Sequence, residues 1–262
     1  MDRKAAVAGG FYPSNQETLR KEVNSFIDAA NDFKSANLKG VIVPHAGYAY
    51  SGPVAGFAYR QIKAFDSANP GKKIVFILGP AHFVHTTASI GMFDSFATPL
   101  GKVKVNLPIC RSLYQDEIFD RSSESHLPEH SIEVQLPFLQ ECLADFEIVP
   151  ILLGEIDPWI LAKRLQTFFG KENNIFVISS DLSHYLPYNE AVDKDRKSLK
   201  IVTGLQTEEG NLIDACGQTG ILTAMSLAKN IGAKIRLLDY RNSGDTAGNK
   251  SAVVGYASLL IY

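Results

Sequence analysis

The sequence predicts an α/β protein, with a single-domain, three-layer α/β/α sandwich around a mixed β-sheet. Three observations support this prediction. Short apolar runs typical of strands alternate with amphipathic helical segments along the whole chain. The last two apolar runs are separated only by a polar loop, residues 241–250, so they should pair antiparallel. The 262 residues contain no long linker, repeat or low-complexity tract, and we expect one domain over residues 1–262.

The individual elements follow from periodicity and from the residues at their ends. Ser14 and Glu17 have the spacing of a capping box, which predicts a helix from about 15 to 30. Apolar residues at helical spacing predict further helices at 55–65, 129–139, 158–169, 189–204 and 216–227. Apolar runs bounded by turn residues predict strands at 40–44, 74–78, 147–153, 175–179, 235–240 and 252–262. Residues 87–107 alternate Thr, Phe and Val between Gly and Pro, which indicates a hairpin or short edge strands.

Composition excludes several functional classes. The formal net charge of −2 gives no basic surface for nucleic acid. No apolar stretch approaches the ~18 residues that a membrane span needs, and the N-terminus lacks the apolar core of a secretory signal. The three cysteines (Cys110, Cys142 and Cys216) are widely spaced and form no C-x-x-C pair. We therefore expect a reduced, cytoplasmic protein without nucleic-acid or membrane partners.

Three apolar runs end in a histidine. His45, His82 and His184 each follow a predicted strand, although well over a hundred residues separate the first from the last. Ligands of open α/β sheets bind in the crevice beyond the carboxyl ends of the strands. We therefore expect the three imidazoles to converge in a metal site or an acid/base site.

Asp181 precedes His184 by three residues, on the turn that leaves its strand. A carboxylate at that position can orient an imidazole as a general acid/base. In the alternative interpretation, Asp181 caps the next turn and His184 packs on Tyr185. The position at a strand end favours the functional interpretation. His45 has a similar alternative, as a cap of the following helix.

Other chemically capable residues give weaker signals. Cys216 begins a Gly-bounded turn into a helix, whose positive end would stabilise a thiolate, but a free cysteine is more often a small buried apolar residue. His130 and Glu133 would share one helix face and could support the site by hydrogen bonds rather than bind a metal directly. Gly244 to Gly248 lacks the lysine spacing of a phosphate-binding loop, so nucleotide binding ranks low.

Five motifs, taken together and in order, resemble the Memo family, whose prokaryotic members are called AmmeMemoRadiSam system protein B. They are Pro-His-Ala-Gly-Tyr-x-Tyr-Ser-Gly at 44–52, Gly-Pro-x-His at 79–82, Glu-His-Ser-Ile-Glu-x-x-Leu-Pro-Phe at 129–138, Ser-Ser-Asp-Leu-Ser-His at 179–184, and Ser-Gly-Asp at 243–245 with Val-Val-Gly-Tyr at 253–256. The match begins at residues 10–13 and reaches the C-terminal strand.

The resemblance implies a fold like that of the class III extradiol dioxygenases, which hold non-haem iron(II) with two histidines and a carboxylate. It implies His45 and His82 as metal ligands, and Cys216 in the position of the dioxygenase carboxylate. It also implies that Asp181 and His184 line the same pocket as catalytic residues, with His184 as the acid/base. A thiolate is softer than a carboxylate, so ring cleavage is less expected than copper, zinc or redox-active iron chemistry.

Two classes of function follow from this resemblance. The first is a metal-dependent, dioxygenase-like oxidoreductase with iron(II) or copper, in which zinc is an alternative occupant. The second is a non-catalytic scaffold that uses the pocket to bind metal, a peptide or a partner protein. An enzyme needs an open coordination position for a small-molecule ligand, whereas a scaffold tolerates a fully ligated metal. The family name alone suggests functional association with an AMMECR-type protein and a radical SAM protein, and nothing indicates the oligomeric state.

Overall fold

The computed structural model describes residues 1–33, 37–120 and 123–262, and it has the predicted architecture of a mixed sheet flanked by helices. The strands are β1 (Asp2–Arg3), β2 (Gly40–Val43), β3 (Lys73–Pro80), β4 (Ala88–Ile90), β5 (Ser95–Thr98), β6 (Gly101–Lys104), β7 (Phe146–Leu153), β8 (Asn174–Ser179), β9 (His184–Leu186), β10 (Ile235–Asn242) and β11 (Val253–Ile261). The α-helices are α1 (Gln16–Asp28), α2 (Tyr48–Ala68), α3 (Leu107–Tyr114), α4 (Leu136–Cys142), α5 (Pro158–Leu165), α6 (Tyr188–Thr203), α7 (Gln218–Ile231) and α8 (Ser243–Thr246). None of the helices in these ranges has the length and hydrophobicity that crossing a bilayer would require.

The main sheet has the strand order β10-β11-β2-β8-β3-β7-β4, and β9 pairs with the beginning of β11. Strands β2, β8, β3 and β7 run parallel to one another. The pairs β10–β11, β11–β2 and β4–β7 are antiparallel, which confirms both the mixed sheet and the predicted pairing of the last two strands. The carboxyl ends of the four parallel strands therefore meet at one edge of the sheet.

The central strands are buried because helices cover the sheet. Residues 75–78 of β3 and 175–178 of β8 are apolar and have no exposed surface, as strands of a covered parallel sheet should be. Helix α7 packs on β3, β8 and α5, while α1, α2 and α4 pack on one another. This rigid support holds the strand ends in fixed positions.

The predicted cap of α1 is wrong, and α2 starts earlier than predicted. The cap of α1 is Asn15, whose side chain accepts the Thr18 N–H at 3.0 Å, rather than Ser14. Helix α2 begins at Tyr48 and continues through Pro53. A proline in the second turn removes one main-chain hydrogen bond but does not prevent the helix.

The segment predicted as a helix at 129–139 becomes an α-helix only at Leu136, after a 3₁₀ turn at Glu133–Gln135. The Glu129 carboxylate accepts the N–H groups of His130 (2.8 Å) and Ser131 (2.9 Å). A side chain that binds the adjacent N–H groups competes with a regular helix, and the chain therefore turns.

A buried ion pair between Arg3 and Glu133 anchors the N-terminal segment. Arg3 is 1% exposed and Glu133 is fully buried. The Arg3 Nε also donates to the His126 carbonyl at 2.9 Å. Glu133 accepts the N–H of Ala6 at 2.7 Å and the Tyr12 hydroxyl. One carboxylate thus fixes the chain from residue 3 to residue 12.

We predict that Arg3→Ala lowers the free energy of unfolding by about 3–5 kcal/mol, because the Glu133 carboxylate would stay buried without its cation. Urea denaturation measures the loss. Arg20→Ala is the control, since Arg20 is half exposed in its pair with Glu141 and should lose less than about 1 kcal/mol. Equal losses in the two variants would contradict the anchoring role of Arg3.

Candidate metal site

The carboxyl edge of the parallel strands brings the sequence-predicted residues together. His45, His82 and Asp181 each lie two residues after the last residue of β2, β3 and β8, respectively. Cys216 lies two residues before the start of α7, whose first turn faces the same edge. His130 comes from the loop before the 3₁₀ turn. The site is thus assembled from strand ends, one loop and one helix start.

Three of the imidazoles form a compact group. One ring nitrogen from each of His45, His82 and His130 lies within 4.8 Å of the others. The rings of His82 and His130 are stacked, with centroids 4.7 Å apart and 22° between their planes. The His45 ring stands edge-on to His82, with centroids 5.2 Å apart at 77°. These three side chains could hold a metal ion.

Glu129 orients two of the three rings, and sequence reasoning missed it. Its carboxylate is 2% exposed. Oε1 lies 3.0 Å from Nδ1 of His82 and 3.2 Å from Nδ1 of His130, and Oε2 accepts the His82 N–H at 2.6 Å. His82 therefore has its Nδ1 hydrogen-bonded to the carboxylate and its Nε2 available as a ligand atom, an arrangement common around bound metals, whereas Nδ1 of His130 lies near the same oxygen without an aligned hydrogen bond. The Glu-His pair at 129–130 was the available sequence signal.

The charge on Glu129 is stabilised by this environment. Burial alone would raise the pKa of the carboxyl. The His130 and His82 rings, together with the N–H groups of His82 and Ser131, instead hold that pKa well below its ordinary range. Glu129 is consequently an anion that accepts a hydrogen bond from the His82 imidazole and lies beside that of His130.

Helical spacing grouped Glu133 with His130 as a residue that supports the site, but in the structure its carboxylate does not join the group of imidazoles. Its carboxylate binds Arg3 and the N-terminal segment. The spacing argument assumed a helix that does not form here, so residues three apart do not share a face. The structure brings His130, rather than Glu133, to the other histidines.

Hydrogen bonds fix the protonated nitrogen of His45. The Ser179 Oγ donates to the Ser131 carbonyl at 2.6 Å and accepts from Gln135 Nε2 at 2.9 Å. With its proton already used, Ser179 accepts from Nδ1 of His45 at 2.9 Å. The Nε2 atom of His45 then carries a lone pair, and it faces the Cys216 Sγ at 3.2 Å. Burial, followed by repulsion from His82 and His130, lowers the pKa of His45 well below its ordinary value and favours this neutral form.

Cys216 is the cysteine that reaches the site. Its sulfur accepts the Asp181 N–H at 3.2 Å. Burial, and then the nearby Asp181 carboxylate, raises the pKa of its thiol to about 12. A bound cation would reverse this preference, because coordination deprotonates a thiol. Cys110 and Cys142 are buried, and the Cys142 thiol donates to the Tyr59 carbonyl.

Asp181 and His184 lie near His45, beside the cluster. Asp181 is 3% exposed, and its Oδ1 accepts the His45 N–H at 2.8 Å. Burial raises the pKa of Asp181 to about 6, against the opposing effect of the His45 N–H. His184 starts β9 and is half-buried, with its ring 5.7 Å from that of Tyr185. Over the described ranges, no hydrogen bond joins the side chains of Asp181 and His184, so their interaction is electrostatic.

A cavity of about 210 Å³ adjoins the thiol. It lies between the ends of β3, β7 and β8 and the first turn of α7, and small residues such as Gly79, Ala81, Gly154 and Thr219 line it. An added methyl group at Gly154 would lie 1.8 Å from the Thr86 carbonyl, so this wall allows no larger residue. The cavity therefore offers room for a small ligand beside Cys216.

The donor set fits a metal ion of intermediate or soft character. Imidazole suits zinc, copper and iron, and a thiolate adds affinity for softer ions. The neutral form of His45 and the Glu129 hydrogen bonds leave ring nitrogens as lone-pair donors. The residues present thus match the requirements of a metal centre.

Comparison with known proteins finds relatives that match almost the whole chain. A family model described as "Memo-like protein" matches residues 3–260. A "MEMO1 family protein" of Sulfolobus acidocaldarius is 37% identical to the chain, covering 99% of each. "MEMO1 family protein TV1383" of Thermoplasma volcanium is 36% identical and covers 99% of this chain and 98% of its own. The crystal structure of the uncharacterized protein JW3007 from Escherichia coli K12 matches 86% of this chain and 100% of its own, with a TM-score of 0.54. At 14% identity, that likeness concerns the fold alone.

We predict that Glu129→Gln weakens the affinity for Zn²⁺, a redox-inert probe, by ~10–100-fold, because an amide binds the two imidazoles less well than a carboxylate does. Competition with a chromophoric chelator measures the change. Glu172→Gln, at an exposed position, should bind like the parent. Parental affinity in Glu129→Gln would show that this carboxylate does not orient the ligands.

Proposed function

The chain belongs to the Memo-like family, and we propose that it is a metal-dependent oxidoreductase related to the class III extradiol dioxygenases. In this proposal His45, His82 and Cys216 bind iron or copper. One observation carries this proposal. The lone-pair nitrogen of His45 faces the Cys216 sulfur at 3.2 Å, at the same edge of the sheet where β3 ends and His82 follows. The cavity beside the thiol supports a small-molecule substrate.

His130 distinguishes an enzyme from a scaffold. Its ring lies in the same group of imidazoles as His45 and His82. Three ligands leave a coordination position for substrate, whereas four close the site. In the enzyme, His130 stays beside the metal with its Nδ1 at Glu129. The third imidazole within 4.8 Å of the other two is the specific observation in favour of the alternative function, a scaffold that binds metal, a peptide or a partner protein without chemistry.

The chain's own residues perform the remaining tasks. Iron or copper, when bound, would supply the electron transfer. Glu129 keeps the rings of His82 and His130 aimed inwards, and Ser179 fixes the proton of His45 on Nδ1. His184, half-buried beside the Asp181 charge, takes or gives a proton at its imidazole.

Chemistry rather than affinity decides the proposed metal. Imidazole and thiolate ligands would hold zinc as well as copper or iron, so zinc is an expected occupant after aerobic purification. Zinc has no redox chemistry of its own. The oxidoreductase proposal therefore commits to iron(II) or copper as the working metal.

We expect Cys216→Ser to lose at least roughly 100-fold in affinity for iron(II) or copper(I), more than the ~10–100-fold that follows from losing a ligand's supporting hydrogen bond. Metal content after anaerobic reconstitution and desalting measures it. Cys110→Ser and Cys142→Ser are matched controls, since both sulfurs are buried away from the cluster. Equal metal content in all three variants would remove Cys216 from the ligand set.

We expect His184→Ala to reduce oxygen consumption by the metal-loaded protein, with ascorbate as reductant, by ~10²–10⁴-fold, the usual contribution of a general acid/base. Metal content and melting temperature should stay near those of the parent, because this imidazole is not a ligand in the proposal. Asp181→Asn should act in the same direction but less severely.

The outcomes of this experiment separate the two functions. Loss of metal from His184→Ala would make His184 a ligand. Unchanged oxygen consumption in both variants, with metal retained, would favour the scaffold.

A further inference from the structure

Helix α6 carries another buried carboxylate, which lies outside the metal cluster. Asp195 has no exposed surface. Its Oδ1 accepts the backbone N–H of Ser183 at 3.0 Å, and its Oδ2 accepts the Tyr240 hydroxyl at 2.8 Å. None of the ion pairs found within the described ranges includes Asp195. Both oxygens are therefore engaged by neutral donors.

Ser183 belongs to the short loop that carries the proposed acid/base residues. The loop runs from Asp181, after β8, to His184, the first residue of β9. On one side it is bound to β11: the Leu182 N–H donates to the Gly255 carbonyl at 2.8 Å, and the Gly255 N–H donates to the Ser183 carbonyl at 2.9 Å. Asp195 holds the loop from the other side, through the Ser183 N–H.

Gly255 shows how closely these parts fit. A Cβ atom at this position would lie 2.1 Å from Oδ2 of Asp195. Only glycine lets the Asp195 carboxylate reach the loop across β11. Gly255 therefore has two roles: its backbone binds the loop at 181–184, and its lack of a side chain leaves room for the Asp195 carboxylate.

The burial of Asp195 is energetically unfavourable by itself. Burial raises the pKa of its carboxyl, and the bonds from Ser183 and Tyr240 oppose that rise. An apolar residue would pack at a buried position at lower cost than an unpaired carboxylate. What the carboxylate provides in return is a fixed acceptor for one backbone N–H of the loop.

We propose that Asp195 is a positioning residue, which holds Ser183 and thereby sets the places of Asp181 and His184 on either side. This inference rests on the proposed function, in which those two side chains handle protons. Asp195 itself contacts neither the imidazole cluster nor the cavity among the residues described.

Hydrogen–deuterium exchange tests the proposal on the full-length, metal-loaded protein. We predict that Asp195→Ala speeds exchange of the segment 181–184 by roughly 10–100-fold, as loss of a hydrogen bond to a charged group should. Asp195→Asn should stay near the parent, because its oxygen can accept from Ser183 and its amide can donate to the Tyr240 oxygen. Helix α1 provides the internal reference, and Tyr240→Phe is the matched control that keeps the Ser183 bond.

The results separate this inference from the proposed function. Faster exchange confined to 181–184, with rescue in Asp195→Asn, supports positioning whether or not oxygen consumption changes. If the exchange changes but oxygen consumption does not, the acid/base function fails and the positioning stands. Unchanged exchange at 181–184, or an equal rise in α1, overturns the positioning role. If Asp195→Ala does not fold, Gly255→Ala tests the same bond, since its methyl group would lie 2.7 Å from Cγ of Asp195 and would displace the whole carboxylate, including the Oδ1 that binds Ser183.

Discussion

The hydrogen bonds of the Glu129 carboxylate are the interaction on which the candidate site depends. This one buried anion binds the backbone of His82, His130 and Ser131 and lies against two imidazole rings. It therefore fixes the end of β3 relative to the loop before α4. It also accepts the N–H groups of residues 130 and 131, where the chain forms a turn rather than a helix. The irregular backbone of this segment and the arrangement of the histidines have the same cause.

The two strand-end histidines of the proposed ligand set are held in the same manner. The His82 N–H donates to Glu129, and the His45 N–H donates to Asp181 at 2.8 Å. In each case a buried carboxylate from another segment closes the turn that leaves a parallel strand. The sheet supplies rigid strand ends, and the carboxylates determine how the chain leaves them. Side chains from segments far apart in sequence can meet because both constraints act at one edge.

The sequence predicted the sheet better than the contacts within the site. Apolar runs and their spacing identified the central strands, because burial on both faces leaves a clear pattern. The strand-end rule placed His45 and His82 at one edge. Periodicity could not identify Glu129, since its role depends on a turn rather than on a helix face, and it grouped Glu133 with His130 for the same reason. Cys216 entered the predicted site through the family resemblance, because a single cysteine before a helix is not distinctive.

A bound cation would change the protonation states that burial favours in this site. Burial raises the pKa of Cys216 to about 12 and that of Asp181 to about 6, and it lowers the pKa of His45. All three shifts reflect the cost of ionising a group away from water. A single cation would favour the thiolate and the carboxylate and would bind the lone pair that neutral His45 already presents. A bound anion would instead disfavour the thiolate of Cys216 and the carboxylate of Asp181. Neutral His45 is thus the form that a metal ion would use directly, whereas metal binding would reverse the protonation that burial favours at Cys216 and Asp181.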